Sequence, residues 1–390
     1  MLSYCTNVHP AENLDGILAQ FDTYAVPVRT ALGWDRLGVG LWLPAKVAAG
    51  LAADAASRRK LVTELTARGL AVETLNAFPY RDFHGAVVKH GVYQPRWSHA
   101  DRLRYTLDCV TVLADLLPPD ASHGSISTLP LGWRTPWGPA DDLRARAAFE
   151  EVTQALRTTY DQRGKPIKLA VEPEPGCVLD TVDDAVGWLS GQVDPAFVGL
   201  CLDTCHLAVS FADPAAAVSR IYRSGLSVVK IQASAALHVQ RPDSERARAA
   251  LARFAEPRYL HQVRERSPTG QVLAADDLPQ GLTDLPADGP WRVHFHVPLH
   301  WGSTSGPDAL GHGLTGTSNV VSDCLTAVAR EVRSPQDFPH IEVETYTWNV
   351  LPRDGARRER HELITGIAEE LRWTRDRLTE QSPGRQGAHR

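Results

Sequence analysis

Short apolar runs and longer amphipathic segments alternate along nearly the whole chain. Residues 3–8, 37–43 and 70–78 are short β-type runs. After them come helical patterns at 13–32 (Leu14, Ile17, Leu18 and Phe21 at helical spacing), 45–68 and 98–117. Gly69 and the Pro118-Pro119 pair supply stop signals. The rhythm continues with strands at 124–129, 168–172, 198–203 and 227–232 and helices at 139–163, 181–190 and 214–223. It resumes with a helix at 318–332, a strand at 341–345 and a closing helix at 357–377. Residues 234–300 break it, with a charged helix near 243–255, a hairpin across 258–278 and the apolar run 291–301.

Strict strand–helix alternation implies a parallel sheet, and eight units at this length predict a closed (β/α)₈ TIM barrel carrying a large insertion after its seventh strand. An open doubly wound sheet is the alternative, but no strand runs into a G-x-G-x-x-G turn. The expected organisation is a barrel over 1–378, with 234–300 as one inserted loop region and 379–390 as a disordered tail.

Composition bounds the class. Of 390 residues, 43% are apolar and 22% charged, as in a soluble globular protein with a substantial core. A net charge of −5 argues against a nucleic-acid partner bound through phosphate neutralisation. The six cysteines form no C-x-x-C pair and read as buried thiols of a reducing compartment, so a cytoplasmic protein is expected. The N-terminus lacks a charged segment followed by an apolar one, and no apolar run is long enough to span a bilayer. Neither a signal peptide nor a membrane span is therefore expected. Oligomerisation is left open.

In a barrel the C-terminal strand ends converge on one mouth. At those ends stand Asn7 and His9, Asn76, Glu172, Asp203 with His206, Gln232 and Glu344, and the insertion adds His294, His296 and His300. Several carboxylates buried at one mouth repel unless protons or a cation offset them. A divalent ion with oxygen and imidazole ligands resolves that conflict. Alternatives stand beside these assignments. Asp203 equally suits a helix N-cap, and Glu174 competes with Glu172 in V-E-P-E-P-G. Glu342 shares a face with Glu344 and lies one layer deeper or pairs with a Lys or Arg. Trp97, Trp133, Trp137, Trp301 and Trp348 either wall a sugar-like ligand or pack.

At these residues the sequence resembles the xylose-isomerase-like TIM-barrel superfamily of sugar isomerases, ketose 3-epimerases and endonuclease-IV-type enzymes. The segments are L-A-V-E-P-E-P-G (169–176), G-L-C-L-D-T-C-H (199–206) and I-E-V-E-T (341–345). The resemblance implies Glu172, Asp203 and Glu344 as metal ligands, with Glu172 and Glu344 also the acid/base pair. It implies His206 as a substrate or second-metal ligand, and His294 with His296 as the D-x-H pair with His in place of Asp. Where the superfamily has a metal-binding His after the seventh strand, this chain has Gln232, a weaker ligand for zinc-like ions. More narrowly, L-S-Y-C-T-N-V-H-P, F-P-Y-R-D-F-H and H-F-H-V-P-L-H resemble the bacterial EboE "metabolite traffic" proteins of secondary metabolism.

The expected function is a metal-dependent isomerase or epimerase of a sugar, cyclitol or related polyhydroxy metabolite. The ion (Mn, Zn, Co, Fe or Mg) polarises a carbonyl and its neighbouring hydroxyl, while Glu172 and Glu344 move the proton. His206, His9, Asn76, His300 and Trp348 are the expected substrate contacts. The alternatives are a non-catalytic metabolite carrier and a metal-dependent phosphodiesterase.

Overall fold

The computed structural model describes residues 2–302, 310, 312–352 and 360–380. Its strands are β1 (Leu2–Cys5), β2 (Leu37–Trp42), β3 (Leu70–Ala71), β4 (Thr74–Asn76), β5 (Gly124–Thr128), β6 (Ile167–Val171) and β7 (Val198–Asp203). They continue with β8 (Val228–Ala233), β9 (Ala235–Val239), β10 (Val263–Arg266), β11 (Val272–Ala275), β12 (Trp291–Val297), β13 (Leu314–Gly316) and β14 (His340–Val343). The parallel sheet runs β1-β14-β8-β7-β6-β5-β4-β2-β3, and β1 also pairs with β2, so the sheet closes. Tyr4 lies opposite Val343 on one side and Val39 on the other. The third predicted strand is split into β3 and β4, which leaves eight barrel staves. The predicted (β/α)₈ barrel is the observed fold.

Strands covered on both faces carry few polar groups, and β2 is buried at every position. The exceptions fill the barrel axis. Lys230 Nζ meets Glu342 Oε2 at 2.7 Å with both side chains fully buried, and it reaches Ser127 Oγ at 3.2 Å. Glu342 thus has the Lys partner and the deeper layer expected of it. Gly40 makes the room, because a Cβ there would stand 1.2 Å from Glu342 Oε1.

The outer helices follow the predicted order with local differences. The helix predicted over 13–32 is Leu14–Gln20 and Val26–Leu32 joined by a π turn at Phe21–Ala25. Pro27 has no N–H to give the carbonyl four residues back, and the widened turn accommodates that loss. The last helix is Arg360–Glu380, so residues 379 and 380 continue it, while 381–390 of the predicted disordered tail lie outside the described residues.

Residues 234–300 are not an oversized loop. They fold into most of a five-stranded antiparallel sheet, ordered β11-β10-β12-β9-β13, which ends only at Gly316. Period-2 alternation explains it. Val293, Phe295 and Val297 are all buried, with Val293 opposite Leu237 and Val297 opposite Ala235 on the neighbouring strand, across a register shift between them. The opposite face of β12 then carries His294 and His296 together. The expected hairpin is β10–β11, turning through Gly270 at φ +86°. This sheet brings its histidines over the C-terminal ends of the barrel strands.

Candidate metal centre at the barrel mouth

Three strand ends supply the carboxylates. Glu172 follows β6 directly, where Pro173 and Pro175 end the strand, and its N–H bonds Thr128 O at 3.0 Å. Asp203 closes β7, and Glu344 follows β14 with its N–H on Ala233 O at 3.0 Å. All three are buried, and one oxygen from each lies within 4.8 Å of the others.

The two roles open to Asp203 are divided between its oxygens. Oδ1 caps the helix Thr204–Val209, accepting from Cys205 N at 2.7 Å and His206 N at 3.0 Å, and it also accepts from Ser234 Oγ at 2.7 Å. Oδ2 has no hydrogen-bond partner and stands 3.7 Å from His296 Nε2. Burial works to raise Asp203, but the neighbouring His206 and His296 and the donors on Oδ1 hold it below the usual carboxylate range. Glu172 is pushed well above that range by burial and by the charges of Glu344 and Asp203. Glu344 is likewise raised by burial, Asp203 and Glu342. Its Oε1 accepts from Asn7 Nδ2 at 2.7 Å and Asn76 Nδ2 at 2.9 Å, so Asn76 orients a carboxylate.

Two imidazoles are held in one tautomer by their outer partners. His296 Nδ1 donates to Glu344 O at 2.6 Å, leaving Nε2 as a lone pair without a partner. His206 Nδ1 donates to Pro173 O at 3.0 Å. His294 Nδ1 meets Gln262 Oε1 at 2.7 Å, and the Gln262 amide nitrogen is fixed by Glu174, Tyr93 and Pro175. Burial and the other histidines push His294 well below the usual imidazole value; burial brings His296 down to about 4. Neutral imidazole is the form that ligates metal.

Gln232 Nε2 points at Glu172 Oε2 at 3.4 Å, and its Oε1 is buried without a partner. Asp203 Oδ2, Gln232 Oε1 and His296 Nε2 are therefore three buried acceptors with no donor among the described residues. Buried acceptors rarely go unmet. Oxygen and imidazole acceptors are the donors a divalent cation takes, and the Glu172, Asp203 and Glu344 oxygens within 4.8 Å of one another offer it a seat, so this donor set fits a divalent metal. Glu174, the weighed alternative to Glu172, belongs to a neighbouring cluster with His206 and His294. Its Oε1 accepts from Tyr93 Oη at 2.7 Å, and burial raises it.

Other expected contacts fall elsewhere. His9 is buried under Tyr24 at 4.0 Å between ring centres and does not line the chamber over the carboxylates. His300, 3.1 Å from Glu369, and Trp348 line a separate surface groove. Trp348 donates to Glu370 Oε2 at 2.8 Å. No Trp lines the mouth chamber: Trp97 packs on Phe149 and Trp133 on Tyr93. The chamber walls are Phe and Tyr instead, and they include Tyr93, Tyr259 and Tyr346, which strand-end reading had no means of finding. Gln262 was also missed, because only the fold of the inserted sheet brings it to His294. All six cysteines are free and buried, and among the described residues no helix is long and apolar enough to cross a membrane.

No protein-family model and no curated protein matches the chain. Solved structures do. A xylose isomerase-like TIM barrel protein from Mycobacterium smegmatis in complex with magnesium is 13% identical with a TM-score of 0.51, over 97% of each chain. D-psicose 3-epimerase from Clostridium cellulolyticum H10, solved with D-tagatose, is 13% identical with a TM-score of 0.51 over 97% of this chain and 99% of that one. The IOLI protein with a bound zinc atom is 13% identical with a TM-score of 0.50 over 98% and 99%. The fold is that of the xylose isomerase-like TIM barrels.

Proposed function

We propose that the chain is a metal-dependent isomerase or epimerase that moves a proton next to a carbonyl in a small hydroxylated metabolite. The observation that carries this reading is the cluster of Glu172, Asp203 and Glu344 oxygens within 4.8 Å of one another, together with the acceptors left partnerless on Asp203, Gln232 and His296. A divalent ion bound there supplies Lewis-acid polarisation of a carbonyl and an adjacent hydroxyl. Asp203, held ionised, is a ligand. Glu172 and Glu344 are both held well above ordinary carboxylates by burial and by neighbouring carboxylates, the direction in which a carboxyl group is tuned to carry a proton. Asn7 and Asn76 hold Glu344 in place, and the aromatic cover excludes water. Structural neighbours of the same fold include an epimerase of ketoses, which agrees with this chemistry.

The first experiment is elemental analysis of protein purified without chelators, followed by C–H exchange in D₂O over a ketose and cyclitol panel. Bound Mn, Fe, Co, Zn or Mg together with exchange supports the reading. Absence of metal after reconstitution overturns it. Metal with tight binding but no exchange favours a metabolite carrier, the role to which the resemblance to metabolite traffic proteins points.

A second reading is metal-assisted hydrolysis by two ions. It is favoured by the facing lone pairs of His206 and His294 with Glu174 beside them. Turnover of phosphodiester substrates only at two bound ions would select it.

A further inference from the structure

We infer that the substrate is amphipathic, with a hydroxy-carbonyl head on the carboxylate and imidazole floor and an alkyl or aryl body against the cover. This rests on the proposed proton-transfer function and narrows its substrate class.

The chamber has two unlike halves. Its floor is almost wholly polar: Asn7, Asn76, Glu172, Glu344, His206 and His296. Its cover is built from three separate segments, the loop after β4, the stretch before β10 and the turn after β14. These contribute Phe78, Phe83, Val92, Tyr259, Leu260 and Tyr346. Phe83, Tyr259 and Tyr346 form one packed aromatic group, with ring centres 5.2, 5.3 and 4.9 Å apart. The cover is pinned where Val88 N and Lys89 N both bond Arg258 O, at 2.8 and 2.9 Å.

Of the polar groups near the cover, those of Lys89, Tyr93 and Tyr346 are engaged, and the Tyr259 hydroxyl alone among the cover tyrosines lacks a partner. Lys89 Nζ lies 2.5 Å from Asp277 Oδ2, so its charge is neutralised. The Tyr93 hydroxyl donates to Glu174, and the Tyr346 hydroxyl faces His294 Nε2 at 3.5 Å. A chain of hydroxyls reaching from the floor into the cover would lose water and find one free partner there, the Tyr259 hydroxyl. Each hydroxyl left unpaired weakens binding about fivefold or more. An apolar body meets no such penalty and gains by removing its own surface from water. Two or three carbons bearing oxygen fit the floor, and hydrocarbon fits beyond it.

The test is calorimetric binding of hydroxamates to protein loaded with Mn or Zn and checked by elemental analysis. A hydroxamate presents the same pair of oxygens as a hydroxy-carbonyl head. The series runs from acetohydroxamate through butyro-, hexano- and octanohydroxamate, with benzohydroxamate and the polyhydroxylated gluconohydroxamate beside it. Affinity is expected to rise about fourfold per added methylene until the cover is filled, with gluconohydroxamate weaker than hexanohydroxamate and Phe83→Ala flattening the rise. Affinities that stay level or fall with length, or gluconohydroxamate as the tightest ligand, overturn the amphipathic substrate and leave the proton-transfer reading standing. Failure of every hydroxamate, acetohydroxamate included, on metal-loaded protein overturns the metal-centred reading and this inference with it.

Discussion

His206 Nε2 and His294 Nε2 face each other at 3.2 Å, and the other nitrogen of each ring already donates, to Pro173 O and to Gln262 Oε1. Two neutral imidazoles in this arrangement present lone pair to lone pair; the Tyr346 hydroxyl reaches His294 Nε2 only at 3.5 Å, and a shared proton or a cation relieves the close pair. Under the two-ion reading, His294→Ala lowers the bound metal from about two equivalents to one, and the remaining ion disappears with Asp203→Ala. Elemental analysis of the two variants checks this. One equivalent in the unmodified protein would assign the pair to a proton.

Asp203→Asn separates the two functions of that side chain. Its retained Oδ1 still accepts from Cys205 N and His206 N, so the apo protein should stay within ~1 kcal/mol of wild-type stability. Replacing Oδ2 with an amide nitrogen removes the oxygen proposed as a ligand, and metal affinity should fall at least about 100-fold. Thermal denaturation with and without metal reads both effects. A large loss of apo stability would mean that the carboxylate charge serves the helix rather than the ion.

Gln232→His places an imidazole where an amide oxygen now lacks a partner. Affinity for zinc should rise and affinity for magnesium should fall, because imidazole is the softer ligand. Competition with a chelating dye measures both. Unchanged affinities would show that Gln232 is not a ligand.

Lys230 and Glu342 are fully buried partners on the barrel axis. Lys230→Met strands a charge in a space with no solvent and should cost ~3–5 kcal/mol in denaturant unfolding. The double variant Lys230→Met, Glu342→Gln removes that charge and should recover most of the loss. A double variant as unstable as the single one would show that packing, not charge, is the requirement.

Glu370 is buried and raised to about 7 by burial, although Thr345, Trp348 and Leu299 N donate to it. The folded value lies above the ordinary glutamate value of about 4.5. Stability from this group is therefore complete below about 4.5 and is lost as pH rises through about 7. The loss amounts to ~3 kcal/mol by pH 8. Glu370→Gln should show a flatter profile from pH 5 to 8, because its amide has no proton to lose over that range. Parallel profiles for the two proteins would contradict this.

The alternation of strands and helices determined the barrel. Period and length are local properties, and each βα unit carries its own apolar pattern. The strand-end carboxylates were legible for the same reason: once the fold is a barrel, Glu172, Asp203 and Glu344 need no further information to meet. The Glu342–Lys230 pair was half legible, since the shared face with Glu344 is a period-2 fact while its partner is distant in sequence. Tertiary structure alone decided the rest. His9 and Trp348 occupy strand-end positions but turn to Tyr24 and Glu370, because side-chain direction after a strand depends on what packs there. His294 and His296 reach the site only because the segment read as a loop becomes a sheet whose apolar face buries, and that burial sends both imidazoles to the mouth. The tautomers that expose their Nε2 atoms depend on Gln262 and the carbonyl of Glu344, 32 and 48 residues away along the chain. No local pattern encodes contacts at such separation.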